Sequence, residues 1–316
     1  HFKTVLYTGD GTTSHVITTG LQPDLVWTKE RPSSTGNHNV YDSVRGASKS
    51  IYPNLTTAEQ TSTGTQDLYS FNSTGFTIGT NYNALINTSG EANVSWNWKA
   101  GGTASTNEEG SIDSEVSANP TAGFSIVKWT GSEASATIGH GLSQAPELII
   151  VKDYDTAGRV WPVNVTNITG TANQYLILNA TDAVADSAAY WGAAPGASTF
   201  TVGDSGTTNG SGSVIAYCFH SVEGYSKVGS YTGNGSADGA FVYTGFKPAF
   251  LLIKRIAGVQ DWMLADNKIS PYNQTEYMLR PAQNAAQQSG NTIDILSNGF
   301  KPRLTGNAFN ASGESY

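Results

Sequence analysis

Residues 146–152 read Pro-Glu-Leu-Ile-Ile-Val-Lys, and this stretch decides the fold because two other stretches repeat its layout. Residues 23–29 read Pro-Asp-Leu-Val-Trp-Thr-Lys, and residues 248–254 read Pro-Ala-Phe-Leu-Leu-Ile-Lys. A short, nearly continuous apolar run of this kind predicts a strand that is buried on both faces. Proline cannot donate to a β-ladder but is tolerated as the first residue of a strand, so it indicates where pairing begins.

Two further motifs flank each of these strands at nearly constant spacing. An aromatic-Thr-Gly turn precedes the proline, at residues 7–9, 129–131 and 231–233. An Asn-x-Ser-Gly motif follows, with its asparagine at Asn87, Asn209 and Asn310. Subtracting the proline numbers from these gives 87 − 23 = 64, 209 − 146 = 63 and 310 − 248 = 62. Self-similarity at a fixed period is the signature of internal repeats, so the chain is predicted to contain three related units.

We therefore predict an all-β chain of three tandem antiparallel β-sandwich, jelly-roll-like repeats. Unit 1 covers residues 1–101, unit 2 residues 122–224 and unit 3 residues 225–316, while the Gly-, Ser- and Thr-rich residues 102–121 are expected to form a hinge-like linker. Large and small residues alternate at 94–98 and 215–219, which predicts a closing strand. In unit 3 the sequence reaches Tyr316 where that strand should begin, so this unit is expected to lack its last strand.

The composition narrows the classes of function. Hydrophobic residues make up 38% of the chain and include 7 Trp, which is enough to build packed cores and argues against disorder. The net charge of −8 and the scattered Lys and Arg argue against nucleic acid as a partner. No apolar run approaches the roughly 20 residues that cross a bilayer, so no membrane insertion is expected. The single cysteine, Cys218, excludes a disulfide within the chain and is expected to be buried and inert.

No catalytic residue is predicted. The chain has no nucleophile elbow, zinc-binding helix motif or phosphate-binding glycine loop. Asp153 with Asp155 and Glu108 with Glu109 are close in sequence, but a glycosidase needs carboxyls about 5 to 10 Å apart across a cleft, which neighbours on one loop rarely achieve. Calcium is the one ion considered, because acidic residues lie in loop-like segments, but the sequence spells out no complete ligand loop. No cofactor is expected.

Histidines and surface aromatics are further candidates for functional sites. His140 lies in Ile-Gly-His-Gly-Leu and is expected at a surface turn. Tyr190 and Trp191 stand outside the predicted central strands, and they are the only candidate contacts for a sugar ring. The alternative for these two residues is core packing.

Several elements resemble an uncharacterised repeat family found in tail-fibre-like and other virion proteins of marine and aquatic bacteriophages. They are Tyr-Asp-Ser-Val-Arg-Gly at 41–46, Ile-Gly-His-Gly-Leu at 138–142, Val-Glu-Gly-Tyr-Ser-Lys at 222–227 and Tyr-Thr-Gly-Asn-Gly at 231–235. The resemblance spans essentially the whole chain. It implies a virion or extracellular location and transfers no catalytic residue.

Three functions are compatible with these features. The first is a non-enzymatic structural and adhesive virion protein, a β-rich spacer that binds host-surface glycan or a neighbouring virion protein and oligomerises, as a trimer by analogy with fibres. The second is a tailspike enzyme that cleaves polysaccharide. The third is a self-assembling extracellular or capsid-decorating fibre joined by strand exchange.

Overall fold

The chain is nearly all β, as predicted. The computed structural model describes residues 1–290 and 292–316, and these form antiparallel sheets with two four-residue helices. None of the described helices is long and apolar enough to cross a membrane. The names unit 1, unit 2 and unit 3 are kept below for the three predicted segments.

Unit 1 is a two-sheet sandwich. Its strands are β1 (Phe2–Thr8), β2 (His15–Thr18), β3 (Leu25–Glu30), β4 (Asn39–Asp42), β5 (Lys49–Ser50), β6 (Gln60–Thr61), β7 (Leu68–Asn72), β8 (Gly75–Ile78) and β9 (Ala92–Trp98). One sheet has the order β1-β9-β3-β4 and the other the order β2-β8-β7, while β5 and β6 pair with each other. Val26, Tyr41 and Phe76 are buried between the two sheets. The predicted closing strand is therefore β9, which lies between β1 and β3.

Unit 2 repeats this strand order in a larger sheet. Its elements are β12 (Phe124–Thr130), β13 (Ala136–Gly139), β14 (Leu148–Asp153), β15 (Pro162–Asn164), α1 (Thr166–Thr169), β16 (Gln174–Ile177), β17 (Ala185–Asp186), β18 (Thr199–Val202), α2 (Gly206–Asn209) and β19 (Ser213–Phe219). The order β12-β19-β14-β15 corresponds to β1-β9-β3-β4, and β16 and β17 extend that sheet. The second sheet is β13-β18.

The expected linker is wrong. Residues 102–121 contain β10 (Ser105–Asn107) and β11 (Ser114–Asn119), which pair with each other and extend the unit 2 sheet through β12. The start of the segment is also fixed, because the Gly101 amide donates to the Ser117 hydroxyl at 3.0 Å. Small polar residues are common in flexible linkers, but they also suit a strand that places only one face against the core, as β11 does with Val116 and Ala118. The segment is part of the sheet and not a hinge.

Unit 3 contains fewer regular strands. They are β20 (Val242–Tyr243), β21 (Phe250–Ile253), β22 (Met263–Asp266), β23 (Ile293–Leu296) and β24 (Gly299–Pro302). β21 pairs with β22, and β20-β24-β23 form the second sheet. The Tyr-Thr-Gly segment pairs with the last residues, since Thr232 bridges Ser315 and the backbones of Tyr231 and Tyr316 exchange two hydrogen bonds.

The aromatic-Thr-Gly and Asn-x-Ser-Gly motifs pack against each other in every unit. In unit 2, a Cβ on Gly131 would collide with the carbonyl oxygen of Gly210, so only glycine fits. The Asn209 side chain accepts hydrogen bonds from the Trp129 indole, near the end of β12, and from the Ser132 amide in the turn that follows. The same close approach occurs between Gly9 and Thr88, and between Gly233 and Ala311. The nearly constant spacing of these motifs thus reflects a contact between them.

The three units share a fourth, central core. Each central strand places alternate side chains in its own sandwich and in this shared core: Ile149 and Val151 face the unit 2 sandwich, while Ile150 faces the shared core. Trp27 of unit 1 and Leu264 of unit 3 join Ile150 there. Complete burial of a large apolar side chain contributes about 1.5–3 kcal/mol. The prediction that these strands are buried on both faces is confirmed for β3 and β14, whose second face is covered by the other units, whereas Phe250 and Leu252 on the second face of β21 are only half-buried.

Backbone hydrogen bonds connect the units in a closed ring. The acceptor in each is the carbonyl of the residue eight positions after the motif proline. The donors come from a different unit each time: Glu59 N to Tyr154 O (2.7 Å), Val184 N to Ile256 O (2.8 Å) and Gln287 N to Arg31 O (2.8 Å). Unit 1 thus contacts unit 2, unit 2 contacts unit 3, and unit 3 returns to unit 1. The units surround a common core instead of forming a string of independent modules.

Candidate functional site

The structure separates the two predicted sugar contacts. Trp191 is 0% exposed and packs in the unit 2 sandwich core, where its backbone bridges Val202. Its expected role as a contact residue is therefore wrong, and core packing is the observed role. Tyr190 is half-buried, and its ring lies 4.6 Å from that of Tyr175. Of the pair, only Tyr190 reaches the surface.

Asp153 and Asp155, which are candidates for catalysis or calcium binding, accept hydrogen bonds from backbone amides in a turn. The Asp153 carboxylate is buried and accepts hydrogen bonds from the amides of Asp155 and Thr156. The Asp155 carboxylate accepts the Ser213 amide at 2.7 Å, which fixes the turn to the start of β19. Glu108 and Glu109 lie exposed on a loop. Among the described residues, no group of three or more His, Cys, Asp or Glu side chains could hold a metal ion.

Two other sequence candidates are buried. His140 is 0% exposed, so the expected surface position is wrong. Its Nδ1 accepts the Leu142 amide, and its Nε2 lies 3.2 Å from the Gly196 carbonyl oxygen. Burial lowers the pKa of His140, which favours the neutral ring. Cys218 is buried as predicted, and burial raises the pKa of its thiol, which disfavours the reactive thiolate.

A buried ion pair within unit 1 accepts a hydrogen bond from unit 2. It is formed by the Tyr-Asp-Ser-Val-Arg-Gly motif, in which the Asp42 carboxylate accepts the Arg45 Nε–H at 2.6 Å with both side chains fully buried. The same Asp42 oxygen accepts the Tyr217 hydroxyl of β19 at 2.8 Å. Although burial acts to lower it, the pKa of Arg45 is raised because Asp42 stabilises the charged form. Burial and the Asp42 charge both raise the pKa of Tyr217, so its hydroxyl keeps its proton.

The corresponding contact joins units 3 and 1. The Asp266 carboxylate accepts the Trp96 indole N–H at 3.1 Å, and it also caps the turn after β22 through the amides of Lys268 and Ile269. Asp266 occupies the place of Asp42 because it lies opposite Phe250 as Asp42 lies opposite Leu25. Trp96 occupies the place of Tyr217, since each stands opposite the middle of its central strand. These carboxylates hold neighbouring units together.

The motif lysines are buried and bind backbone carbonyls. The Nζ groups donate as follows: Lys29 to Glu30 and Ser33, Lys152 to Arg159, and Lys254 to Thr181, Arg255 and Gly258. Burial lowers the pKa of each lysine to about 8. Each lysine fixes the loop that follows its strand, and Lys254 also reaches unit 2. The three buried lysines are thus engaged in structural contacts.

Aromatic side chains remain exposed on the outer loops. Tyr272 is 83% exposed and Tyr82 is 62% exposed, while Tyr243 and Phe241 are exposed at β20 and just before it. A tyrosine ring on a polar surface can stack on a sugar ring and donate a hydrogen bond. Tyr272 is not among the residues selected from the sequence, because nothing in the local pattern distinguishes an exposed loop aromatic from a buried one such as Trp161.

An apolar groove opens beside unit 3. Its volume is about 510 Å³, and all three units contribute to its walls. Phe2 comes from unit 1, Val165 and Phe219 from unit 2, and Tyr231 and Phe250 from unit 3. The sequence signal for the groove was the predicted absence of a closing strand in unit 3.

A family model described as "Domain of unknown function (DUF7483)" matches residues 1–316. No curated protein and no solved structure matches the chain.

Proposed function

We propose that this chain, which belongs to the DUF7483 family of domains of unknown function over residues 1–316, is a non-enzymatic structural and adhesive protein of a virion surface. The observation that carries the proposal is the shared core closed by a ring of backbone hydrogen bonds, which makes one rigid body of the three units. The sequence resemblance to virion proteins supports the location. Rigid bodies that display exposed loops are suited to surface attachment.

The adhesive surface in this proposal is the set of exposed loop aromatics. Tyr82 and Tyr272 present whole rings to solvent, and stacking on a sugar is a weak contact that gains strength when several copies act together. The partners are host-surface glycan and neighbouring virion proteins, and homotrimerisation would multiply the contacts. The buried carboxylates and lysines support the non-enzymatic part, because their hydrogen bonds are already made to turns and loops.

The test is binding of the purified protein to immobilised bacterial capsular polysaccharides and lipopolysaccharides. We expect saturable binding to at least one of them, and a loss of ten-fold or more in the Tyr82→Ala, Tyr272→Ala double variant. Val259→Ala is the matched control, because Val259 is 67% exposed and has no ring to stack. Equal binding by the double variant would remove the tyrosines from the adhesive surface.

The enzymatic alternative is tested in the same samples. Release of reducing ends from a bound polysaccharide would overturn the non-enzymatic assignment in favour of a cleaving tailspike. Native mass spectrometry of the protein gives the oligomeric state, for which the proposal expects a trimer. Immunogold labelling of purified particles tests the virion location, and an absence of label would contradict it.

A further inference from the structure

In units 1 and 2 the closing strand occupies a lane between two other strands. β9 pairs with β1 on one side and with β3 on the other, and β19 pairs with β12 and β14 in the same way. An equivalent backbone bond marks the entrance of each lane. The bonds are Arg31 N to Ala92 O (2.8 Å), Tyr154 N to Ser213 O (3.2 Å) and Ile256 N to Ser315 O (2.9 Å). Ser315 therefore stands where Ala92 and Ser213 stand.

Beyond Ser315, one side of the lane in unit 3 is a strand edge to which no described strand is paired, and this edge is called the bare wall below. Tyr316 pairs with Tyr231 as Asn93 pairs with Tyr7, and the other wall is β21. Within the described part of the chain, β21 pairs only with β22. Antiparallel pairing alternates, and Asn267 N donates to Ala249 O on the β22 side, so the backbone groups of Phe250 and Leu252 point into the lane. Such groups form a template for another strand.

The groove described above coincides with this lane. Its lining includes Phe250 and Leu252 from the bare wall, Tyr231 and Tyr316 from the entrance, and Val165 from unit 2. The corresponding positions in units 1 and 2 are filled by the side chains of β9 and β19. Val94 and Trp96 of β9, like Ile215 and Tyr217 of β19, point into the shared core.

We propose that this groove is a docking site for one extended polypeptide strand from outside residues 1–316, antiparallel to β21 and with large apolar side chains at alternate positions. β9 and β19 define the pattern. Large residues of the occupant face the shared core, as Ile215, Tyr217 and Phe219 do, and small residues face the sandwich core, as Ala216 and Cys218 do. The mode is β-augmentation, in which backbone bonds give affinity and alternate pockets give specificity.

The middle large residue of the occupant is apolar and carries no donor. In the other two junctions this position is Tyr217 or Trp96, and each donates to a buried carboxylate, Asp42 or Asp266. In unit 2 the equivalent position is Val165, because it follows Asn164 in the register of β14 with β15. Val165 is buried and offers no acceptor for a hydroxyl or indole N–H. A phenylalanine or leucine therefore fits where a tyrosine leaves its hydroxyl unpaired.

The experiment uses the 316-residue protein and synthetic peptides. The probe is Ile-Ala-Phe-Ser-Phe, which is residues 215–219 with Tyr217→Phe and Cys218→Ser, flanked by lysines for solubility. We expect saturable binding by titration calorimetry. The peptide that keeps tyrosine in the middle should bind about ten-fold more weakly, because its hydroxyl loses its hydrogen bonds to water on burial. The matched control is the same composition with large and small residues shifted by one position, which should not bind.

Hydrogen exchange locates the strand. Bound peptide should slow exchange of the Phe250 and Leu252 amides by at least 100-fold, while the Leu251 and Ile253 amides, which face β22, change little. Equal binding of the shifted peptide, or protection spread evenly over β21, would overturn the proposal. Self-association of the protein that is abolished by Leu252→Asp would also overturn it, because a second copy would then occupy the groove.

Discussion

Replacing Arg45 by methionine should be among the most destabilising single substitutions in this protein. The Asp42 and Arg45 side chains are both 0% exposed and 2.6 Å apart. Without the guanidinium, the Asp42 carboxylate keeps only the Tyr217 hydroxyl and the turn amides as partners. Breaking a buried pair from one side costs about 3–5 kcal/mol, because an uncompensated charge remains in the interior.

The Tyr217→Phe variant is the second single substitution in a double-mutant cycle with Arg45→Met. It removes one hydrogen bond to a charged acceptor, which costs about 1.5–3 kcal/mol. Both groups act on the same Asp42 oxygen, so the loss in the double variant should differ from the sum of the two single losses. Replacing Asp42 by asparagine in the Arg45→Met background should restore part of the stability, because the unpaired charge is then gone.

The assay is urea unfolding followed by tryptophan fluorescence, with the free energy of unfolding from linear extrapolation. Lys128→Met is the control, because Lys128 pairs with Glu115 at the surface and such pairs contribute about 0–1 kcal/mol. A loss below 1 kcal/mol for Arg45→Met, or strict additivity with Tyr217→Phe, would refute the view that this pair holds units 1 and 2 together.

Three further predictions concern the repeated motifs. Gly131→Ala should lower the free energy of unfolding by about 3 kcal/mol, because the added Cβ meets the Gly210 carbonyl. In the control, Gly306→Ala, the added Cβ has no atom within 4 Å, so the free energy of unfolding should change by less than about 0.5 kcal/mol. Chemical denaturation measures both variants. Glu133→Gly should raise the melting temperature, because Glu133 has a φ of +57°, a strained value for a residue with a side chain, whereas glycine stands at the equivalent positions 11 and 235. The free energy of unfolding should rise by about 0.5–1 kcal/mol. An unchanged or lower melting temperature would contradict this prediction. The free energy of unfolding should rise with pH from 8 to 9.5, because the three motif lysines, with a pKa of about 8 when folded and 10.5 when unfolded, bind fewer protons in the folded state. Each lysine contributes about 1.5 kcal/mol over this window, so Lys29→Met should reduce the slope by a third. A free energy of unfolding that falls with pH would show that the sign is wrong.

The sequence predicted the parts of the fold that depend on short-range pattern. The central strands, their proline starts and the closing strands β9 and β19 are found where the spacing placed them. Residues 102–121 were misassigned because small polar residues are compatible with both linkers and edge strands, and only pairing with β12 decides between them. Trp191 was misassigned for a similar reason, since its burial depends on β18, which follows it in the chain.

The shared core and the ring were beyond local reasoning. Runs such as Leu-Ile-Ile-Val showed that a second face needed covering, but not that the other units cover it. Asp42 and Arg45 appeared in the sequence as part of a motif without a role, because their partner Tyr217 is 175 residues away. The predicted lack of a closing strand in unit 3 indicated an open edge there. The walls of the groove, however, include Phe2 and Val165, which no spacing rule connects to unit 3.

The ring that joins the units is made of amide and carbonyl groups, and only at the contact between units 3 and 1 do the same two residues also bond through their side chains, the Arg31 guanidinium donating to the Gln287 side chain at 2.8 Å. The acceptors are an arginine, a tyrosine and an isoleucine, and the donors are a glutamate, a valine and a glutamine. Substitutions at these six positions leave the backbone bonds in place as long as the backbone keeps its path and no donor residue is replaced by proline, which has no N–H. The three units can consequently differ in sequence at these positions and keep the same backbone contacts. Exchange of one unit for a diverged segment would then change the outer loops and preserve these contacts.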